Sequence, residues 1–519
     1  MQTSRNIVER IVETKEVVYG ISTGFGEFKN VVINHDSLSE LQYNLIRSHC
    51  CGTGNMLEKP LVRMLLANRI NTLASGKTGV RPCLVDTLLQ MLNKNCLPVV
   101  YEKGSVGASG DLAPLSHIAL GALGEGLMHH PTNGTIEHAE KVLKEHKITP
   151  IDLKAKEGLA LINGTQFISA LGAQAIVKAE RLMQIATLVA CVTFESLNAT
   201  PNALDARIHQ ARGHSGQMHV ASVMRNVLLH GVENGYVVSP ITESLNRHPK
   251  VQDAYSLRCI PQVHGIVHDT IEFCKKLIDT ELNAVTDNPM VFIEGTGSDI
   301  PQLANLVPYT SSMNDHVQDN FTLFHTDTED IKHIVSGGNF HGEYPAKAMD
   351  FLAIGVHELA NISERRINRL VDGKLSGLPF FLIENGGLNS GFMIPQYTAA
   401  ALTSENKVLV HPSSSDTIST SASSEDHVSM GPYASRKCLE VIANVETVIA
   451  IELMAACQAL DLRRQNASPI VEKVKQLVRQ HVPYIEKDVV MHPLIEKVVE
   501  LVRDGSVLKC AGITENHHN

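Results

Sequence analysis

The stretch GSVGASGDLAPLSH, residues 104–117, brings small residues, a hydroxyl and an acid close together along the chain. Its centre is the triplet Ala108-Ser109-Gly110, and Asp111 follows at once. Its glycines permit a tight turn, because they have no Cβ atom to block close approach or positive φ. Pro114 suits the first turn of a helix. The pattern therefore predicts a glycine-rich turn that leads into a helix.

A glycine-rich turn ahead of a helix is also typical of phosphate sites. This stretch lacks the Lys-Ser/Thr pair that closes a P-loop. Asp111 also places a carboxylate where an anion site favours positive charge. A phosphate-binding loop is therefore disfavoured.

A second candidate loop, VVYGISTGFGEF at residues 17–28, carries Tyr19 among three glycines. The ordinary explanation of such a tyrosine is a buried ring with a satisfied hydroxyl. Because a tyrosine among glycines packs poorly, we favour a functional loop.

Three further residues have ordinary structural explanations when each is taken alone. His49, in the Ser48-His49 pair of a predicted helix, could be solvated or buried in the core. Asn163, followed by a glycine, is typical of a turn. Glu425 fits the acid of a capping box ahead of a helix.

Gln252, Tyr255 and Arg258 are spaced by three residues. On one helix they would lie within an arc of about 120 degrees. An amide, a phenol and a guanidinium on one face are unusual for a solvated surface. The alternative is an arginine that binds the carboxyl end of a helix.

These motifs resemble, in the same order along the chain, those of the aromatic amino-acid ammonia-lyases. The matches run from residue 17 to about residue 464. They comprise the Tyr-Gly-x-x-Thr-Gly-Phe-Gly loop, the Ala-Ser-Gly triplet, Leu-Ala-Leu-x-Asn-Gly-Thr-Gln, Gln-Asp-x-Tyr-Ser-x-Arg, SGGNFHGE and SEDHVSM.

The resemblance implies an electrophile that the chain makes from itself. In the family the triplet, here Ala108-Ser109-Gly110, cyclises with loss of two waters into 4-methylidene-imidazol-5-one (MIO). The serine becomes the methylidene, and we expect Asp111 to assist the cyclisation. No external cofactor and no metal are implied, and no HExxH spacing is present.

The resemblance also implies roles for individual side chains. Catalytic roles beyond the triplet fall to Tyr19, Tyr255 and Glu425, and substrate-binding roles to His49, Asn163, Gln252, Arg258 and Phe340. In the family the arginine clamps the substrate carboxylate through a bidentate pair. The tyrosine of the first loop is the acid/base, which requires a depressed pKa.

Two positions point to a branch of the family. Ser48-His49 and Glu425 match the histidine-specific branch, whereas the phenylalanine branch has Phe-Leu and glutamine there. The resemblance thus implies a carbon–nitrogen lyase that converts L-histidine to trans-urocanate and ammonia. Three alternatives stay open: an MIO-dependent aminomutase, another aromatic amino-acid ammonia-lyase, and a catalytically inactive helical assembly protein.

Composition and periodicity predict a mainly α fold. Hydrophobic residues make up 43% of the chain, aromatics only 4%, and tryptophan is absent. Long helices are predicted over residues 166–198, 346–370 and 434–464, which favours a bundle. The resemblance implies the ammonia-lyase/fumarase-like type. We expect an N-terminal domain over residues 1–200, which carries the Tyr19 loop and the electrophile, and a helical bundle with the C-terminal region over 201–519.

Net charge and cysteine spacing limit the kinds of partner and the cellular compartment that we expect for this chain. The net charge of −10 and the pI near 6.2 leave no electrostatic footprint for nucleic acid. Ten scattered cysteines without CxxC spacing favour a reducing compartment. No apolar leader and no membrane-length apolar run is visible. We expect a cytoplasmic protein, and the resemblance implies a homotetramer with shared active sites.

Two features depart from the family pattern. Residues 293–335 make one connection roughly thirty residues longer than usual, in a range where loops are functional or disordered. Only eighteen residues precede Tyr19, where family members carry a few dozen. We expect the first departure to affect the surroundings of Phe340, and the second to reduce stability and assembly.

Overall fold

The computed structural model describes residues 1–232, 235–246, 250–293, 330 and 333–513. This part of the chain is mainly helical, as the aliphatic composition predicts. The helices are α1 (Gln2–Thr14), α2 (Leu38–His49), α3 (Lys59–Ala74), α4 (Pro82–Asn93), α5 (Leu112–Ala122), α6 (Ala139–Glu145), α7 (Glu157–Ile162), α8 (Gln166–Ser196), α9 (Ala206–Arg212), α10 (Ser215–Leu228), α11 (Pro240–Glu243), α12 (Tyr255–Arg258), α13 (Ile260–Asn283), α14 (Glu343–Val371), α15 (Gly373–Ser376), α16 (Met393–Leu409), α17 (Gly431–Arg463), α18 (Pro469–His481), α19 (His492–Arg503) and α20 (Ser506–Ala511).

The strands are short and form four small antiparallel sheets within the described ranges. They are β1 (Thr53–Met56), β2 (Leu97–Pro98), β3 (Tyr101–Lys103), β4 (Leu127–His129), β5 (Ile136–His138), β6 (His230–Val232), β7 (Gly235–Val237), β8 (Met290–Val291) and β9 (Ile334–Val335). Strand β1 pairs with β3, β4 lies between β2 and β5, β6 pairs with β7, and β8 pairs with β9.

The chain forms two compact units. The first comprises Met1–Leu171, Ile278–Lys347 and Ser413–Tyr433, and the second comprises Gly172–Leu277, Ala348–Pro412 and Ala434–Asn519. The division expected near residue 200, at the Pro201 break, is not one of these boundaries. The physical reason is that two later segments return to pack with the first 171 residues, which the order of the sequence does not show.

The first unit has its own apolar core around helix α1. Ile7, Val8 and Ile11 are buried on one side of that helix, which is therefore amphipathic. They pack with residues from the Tyr19 loop, from the segment before α7 and from both strands of the β8–β9 pair: Val18, Ile21, Ala155, Val291 and Ile334. This core fixes the loop that carries Tyr19.

The second unit is built on long helices, and the predicted bundle is confirmed. Helix α14 buries Leu352, Val356 and Leu359 along one stripe. In helix α17, Ala450 to Ala456 are all buried, so that part of the helix is covered on every side. A buried ion pair joins these helices, with Arg366 Nε 2.5 Å from Glu452 Oε1.

The long connection begins and ends at neighbouring strands. Met290 pairs with Val335 and Val291 with Ile334, so residues on either side of the insertion lie close together. Most of the predicted insertion, residues 294–329 and 331–332, lies outside the described residues. Asp330 pairs with Arg10 of α1 at 2.5 Å.

Across the described helices, none has the length and apolar character that a bilayer crossing requires.

Candidate active site

The turn between β3 and α5 has the tight backbone that its sequence predicts. Gly104, Gly107 and Gly110 adopt positive φ angles of 133°, 70° and 87°. Helix α5 then begins at Leu112, which puts Pro114 in its first turn as expected.

Gly110 faces a second glycine at very close range. It forms an isolated parallel bridge with Gly164, and the Asp111 amide donates to the Gly164 carbonyl at 2.7 Å. A Cβ atom at Gly110 would lie 2.4 Å from that carbonyl oxygen. Only glycine is compatible with this approach, so the turn is held against the loop that carries Asn163.

Ser109, the centre of the triplet, is bound from two sides. Its hydroxyl donates to Oε1 of Glu425 at 2.6 Å. Its carbonyl accepts a hydrogen bond of 2.9 Å from Nδ2 of Asn163. Both partners were candidates from the sequence, and the structure brings them to the same residue.

Glu425 is held in a defined position by its own loop. Thr420 donates from Oγ1 to Oε2 of Glu425 at 2.8 Å, and the backbones of the two residues form an isolated antiparallel bridge. The capping-box alternative is not what the structure shows, because Glu425 lies well before Gly431, where α17 begins. Its carboxylate instead points to Ser109.

Tyr19 is half-buried in its loop, close enough to Glu425 for the two charges to interact. Burial raises the pKa of Tyr19, a hydrogen bond from the Gly26 amide lowers it, and the charge of Glu425 raises it further. The net change in the pKa is upward. The depressed pKa that a base at this position requires is not present in this structure, because desolvation and an acidic neighbour outweigh one amide donor.

His49 ends helix α2 and lies within electrostatic range of the same acid. Its Nδ1 lies 3.0 Å from the Ser48 hydroxyl. Burial lowers the pKa of His49, while the Leu45 backbone and Glu425 oppose this effect. The ring is therefore mainly neutral at pH 7.

Asp111 caps the amino-terminal end of helix α8. Its Oδ2 accepts from the amides of Phe167 and Ile168 at 2.9 and 3.0 Å, at the start of α8. Burial raises the pKa of Asp111 to about 7, against those two hydrogen bonds and with a smaller contribution from Glu281. Its Oδ1 is buried and has no hydrogen-bond partner among the described residues.

Phe340 lies half-buried in the turn before α14. The next residue, His341, stacks on His427 with ring centroids 5.7 Å apart and an interplanar angle of 8°. The segment with Phe340 therefore lies beside the segment with Glu425.

Within the described residues, His341, Glu343 and His427 form one group with potential metal-ligand atoms within 4.8 Å of one another. Two of the three already have protein partners. Lys347 pairs with Glu343 at 3.2 Å, and the His341 Nε2 lies 3.1 Å from the His427 carbonyl. We assign no cation to this group.

Gln252, Tyr255 and Arg258 belong to the second unit. The expectation that they share one helical face is wrong, because α12 begins only at Tyr255 and Gln252 precedes it outside any helix or strand. The Arg258 guanidinium lies 4.6 Å from the centre of the Tyr255 ring. The Tyr255 side chain is 71% exposed, and among the described residues the buried Arg258 Nε has no hydrogen-bond partner.

The site also uses residues that the sequence did not single out. Thr420 orients Glu425, and Arg69 of α3 donates from Nη1 to the carbonyl of Asn163 at 2.9 Å. A threonine in a serine-rich loop and an arginine in an apolar helix carry no local signal for such roles.

Residues 1–480 match the family model described as aromatic amino acid lyase. This chain belongs to the aromatic amino acid lyase family. A histidine ammonia-lyase from Bos taurus is 50% identical over 513 residues, which are 98% of this chain and 72% of the relative.

Solved structures of this lyase family have the same fold. The crystal structure of histidine ammonia-lyase from Trypanosoma cruzi is 46% identical, with a TM-score of 0.84 over 99% of this chain and 89% of that one. Tyrosine aminomutase from Streptomyces globisporus is 34% identical, with a TM-score of 0.85 over 98% of this chain and 92% of that one.

Proposed function

We propose that this chain is a carbon–nitrogen lyase that converts L-histidine to trans-urocanate and ammonia. The observation that carries the proposal is the pair of contacts on Ser109. One acid holds its hydroxyl and one amide holds its carbonyl, in a turn whose backbone only glycine permits. The identity to histidine ammonia-lyases over nearly the whole chain supports the same conclusion.

The residues around the triplet fit the MIO group that the family implies. Cyclisation joins the Gly110 nitrogen to the carbonyl carbon of Ala108, and small residues in a tight turn allow this approach. The Ser109 carbonyl would become the carbonyl of the imidazolone ring, so Asn163 would hold its oxygen through the bond now seen at 2.9 Å. Once formed, the group supplies an electron-poor alkene that binds the substrate amine and improves its departure.

The remaining roles belong to side chains of the chain itself. Arg258 binds the substrate carboxylate, with charged hydrogen bonds of about 1.5–3 kcal/mol each. His49 and Glu425 hold the imidazole, and Phe340 shapes the pocket wall. Asn163, Gln252 and Tyr255 hold the electrophile and the carboxylate in place. Asp111 assists the cyclisation from its place at the start of α8.

Tyr19 removes the β-proton, a step to which a positioned base contributes about 10²–10⁴-fold. Since the pKa of Tyr19 is raised in this chain, the phenol is the form present before substrate binds at neutral pH. The hydrogen bond from Gly26 favours the phenolate and opposes the rise in this pKa.

We further propose that the enzyme is a cytoplasmic homotetramer with shared active sites. The ten free cysteines are compatible with a reducing compartment. Exposed apolar side chains on the long helices are compatible with contacts between chains: Val177, Ile266, Phe273, Phe351 and Ile354.

The similarity to tyrosine aminomutase favours one alternative, an aminomutase that uses the same electrophile. Product analysis separates the two. An aminomutase yields a β-amino acid, whereas a lyase releases ammonia and an unsaturated acid.

The deciding experiment combines an assay with a mass. Purified protein is incubated with L-histidine, urocanate absorbance and ammonia are followed, and the intact mass is measured. We expect both products and a mass lower than the sequence mass by two waters. A properly folded protein that keeps both waters and forms no urocanate would overturn the proposal.

A further inference from the structure

A buried arginine that the mechanism does not use lies behind the loop that carries Asn163. Arg69 of α3 is fully buried. Its Nη1 donates to the Asn163 carbonyl and to Oε1 of Gln166, each at 2.9 Å. Its Nη2 donates to the carbonyl of Ala160. One guanidinium thus spans the end of α7, the Asn163 turn and the start of α8.

Two residues in the span that Arg69 holds touch the electrophile turn. Asn163 donates to the Ser109 carbonyl at 2.9 Å, and Gly164 accepts from the Asp111 amide at 2.7 Å. A Cβ atom at Gly164 would lie 2.6 Å from Arg69 Nη1, so the guanidinium reaches the backbone of this loop directly.

Arg69 shares its acidic partner, Asp287, with a second buried cation, Lys156. Asp287 lies 3.6 Å from Arg69 Nη2 and 2.9 Å from Lys156 Nζ, and all three side chains are fully buried. Two cations therefore face one acid. Removal of either cation leaves Asp287 paired with the other, so Arg69 is not needed to neutralise this acid.

We propose that Arg69 is a positioning residue that acts through Asn163. It keeps the Asn163 amide on the Ser109 carbonyl, first while the triplet cyclises and then while the substrate amine reacts. The proposal rests on the proposed function. Its distinguishing feature is the planar fork of arginine, whose donors match several carbonyls at once. The single ammonium of Lys156 donates instead to Asp287 and to the Asn288 carbonyl.

Arg69→Met and Lys156→Met form a matched pair for the test. Each variant leaves Asp287 paired with the remaining cation. Each also removes buried hydrogen bonds, so we expect both to lower the urea midpoint of unfolding. Intact mass gives the fraction of protein that has lost two waters, and steady-state kinetics give kcat and KM for each matured enzyme.

We expect Arg69→Met to reduce the matured fraction and to lower kcat on the order of 10²-fold, with KM little changed, because the amide is misplaced. Lys156→Met should keep the wild-type matured fraction and kcat. Equal losses of matured fraction and kcat in the two variants would show a merely structural role and overturn the proposal.

A double-mutant cycle tests whether the effect passes through Asn163. In an Asn163→Ala background, Arg69→Lys should cause no further loss of kcat, whereas it should lower kcat in the wild-type background. Equal losses in both backgrounds would contradict the proposal. Arg69→Lys also keeps a cation opposite Asp287, so it replaces the methionine variant if that variant does not fold.

Failure of the proposed function gives a different result. Wild-type protein would then keep both waters, whatever residue stands at position 69. Loss of two waters in the wild type, together with equal matured fraction and kcat in wild type, Arg69→Met and Arg69→Lys, would refute only the role of Arg69.

Discussion

The electrophile turn and the segment from Gln252 to Arg258 differ in how the chain holds them. Ser109 has a partner for its hydroxyl and another for its carbonyl, and both partners are themselves anchored. In the other segment Tyr255 is 71% exposed, and its described contact is the guanidinium of Arg258 above its ring.

This difference follows the chemistry proposed for each region. A backbone cyclisation needs its atoms fixed before any ligand arrives, so the surrounding residues must be preorganised. A carboxylate clamp needs unpaired donors that the ligand itself will satisfy. Arg258 Nε is buried without a partner among the described residues, as such a clamp requires.

The first prediction concerns Ser109, the centre of the electrophile turn. Ser109→Ala should abolish urocanate formation, with a loss on the order of 10⁴-fold or more, since no alkene can form. Circular dichroism and the unfolding midpoint should stay close to wild type, because Glu425 remains bound to Thr420. Full activity in this variant would end the covalent proposal.

The second prediction concerns Arg258, in the segment from Gln252 to Arg258. Arg258→Met should lower kcat/KM by about 10²-fold or more, because charged hydrogen bonds to the carboxylate are lost. The free energy of unfolding should change by less than about 0.5 kcal/mol. Arg207→Met, at an exposed arginine paired with Asp205, is the matched control and should leave both quantities unchanged. A loss of stability without a loss of kcat/KM would show that Arg258 stabilises the fold and does not bind the substrate carboxylate.

The third prediction concerns the residues that assign the substrate. His49→Leu combined with Glu425→Gln should reduce the preference for L-histidine over L-phenylalanine by about tenfold or more, measured as a ratio of kcat/KM values. Glu425 also binds the Ser109 hydroxyl, so the double variant could lose the electrophile as well. Its intact mass is therefore measured together with the kinetics, to show that two waters have been lost. An unchanged preference in matured protein would contradict the substrate assignment.

The fourth prediction concerns pH. The pKa of Asp111 is raised to about 7 in the folded protein, above its ordinary value of 3.8. Its contribution to stability is therefore complete below about pH 4 and is lost as the pH rises through 7. Asp111→Asn should flatten the pH dependence of the urea midpoint between pH 4 and 7. An identical profile in wild type and variant would show that Asp111 does not titrate there.

The long helices could be predicted from the sequence, and so could three residues that the structure brings into contact. Apolar spacing in α8, α14 and α17 is a local property, so helix bounds followed from it within a few residues. The motifs likewise identified Ser109, Asn163 and Glu425 before their contacts were known.

The partners of those residues could not be predicted, because they are set by chain folding over long separations. Arg69 and Asn163 lie 94 positions apart, and Ser109 and Glu425 lie 316 apart. The spacing of Gln252, Tyr255 and Arg258 led to a wrong prediction of one shared helical face. Spacing by three residues suits a helix, but the observed helix α12 has only four residues and does not include Gln252. The raised pKa of Tyr19 also depends on burial and on a distant acid, which no local pattern shows.

The two facing glycines have a consequence for attempts to evolve new activities on this scaffold. With a Cβ at Gly110 only 2.4 Å from the Gly164 carbonyl, and one at Gly164 only 2.4 Å from Oε1 of Gln166, neither position tolerates diversification. A mutant library aimed at other amino-acid substrates should keep both glycines and vary His49 and Phe340 instead.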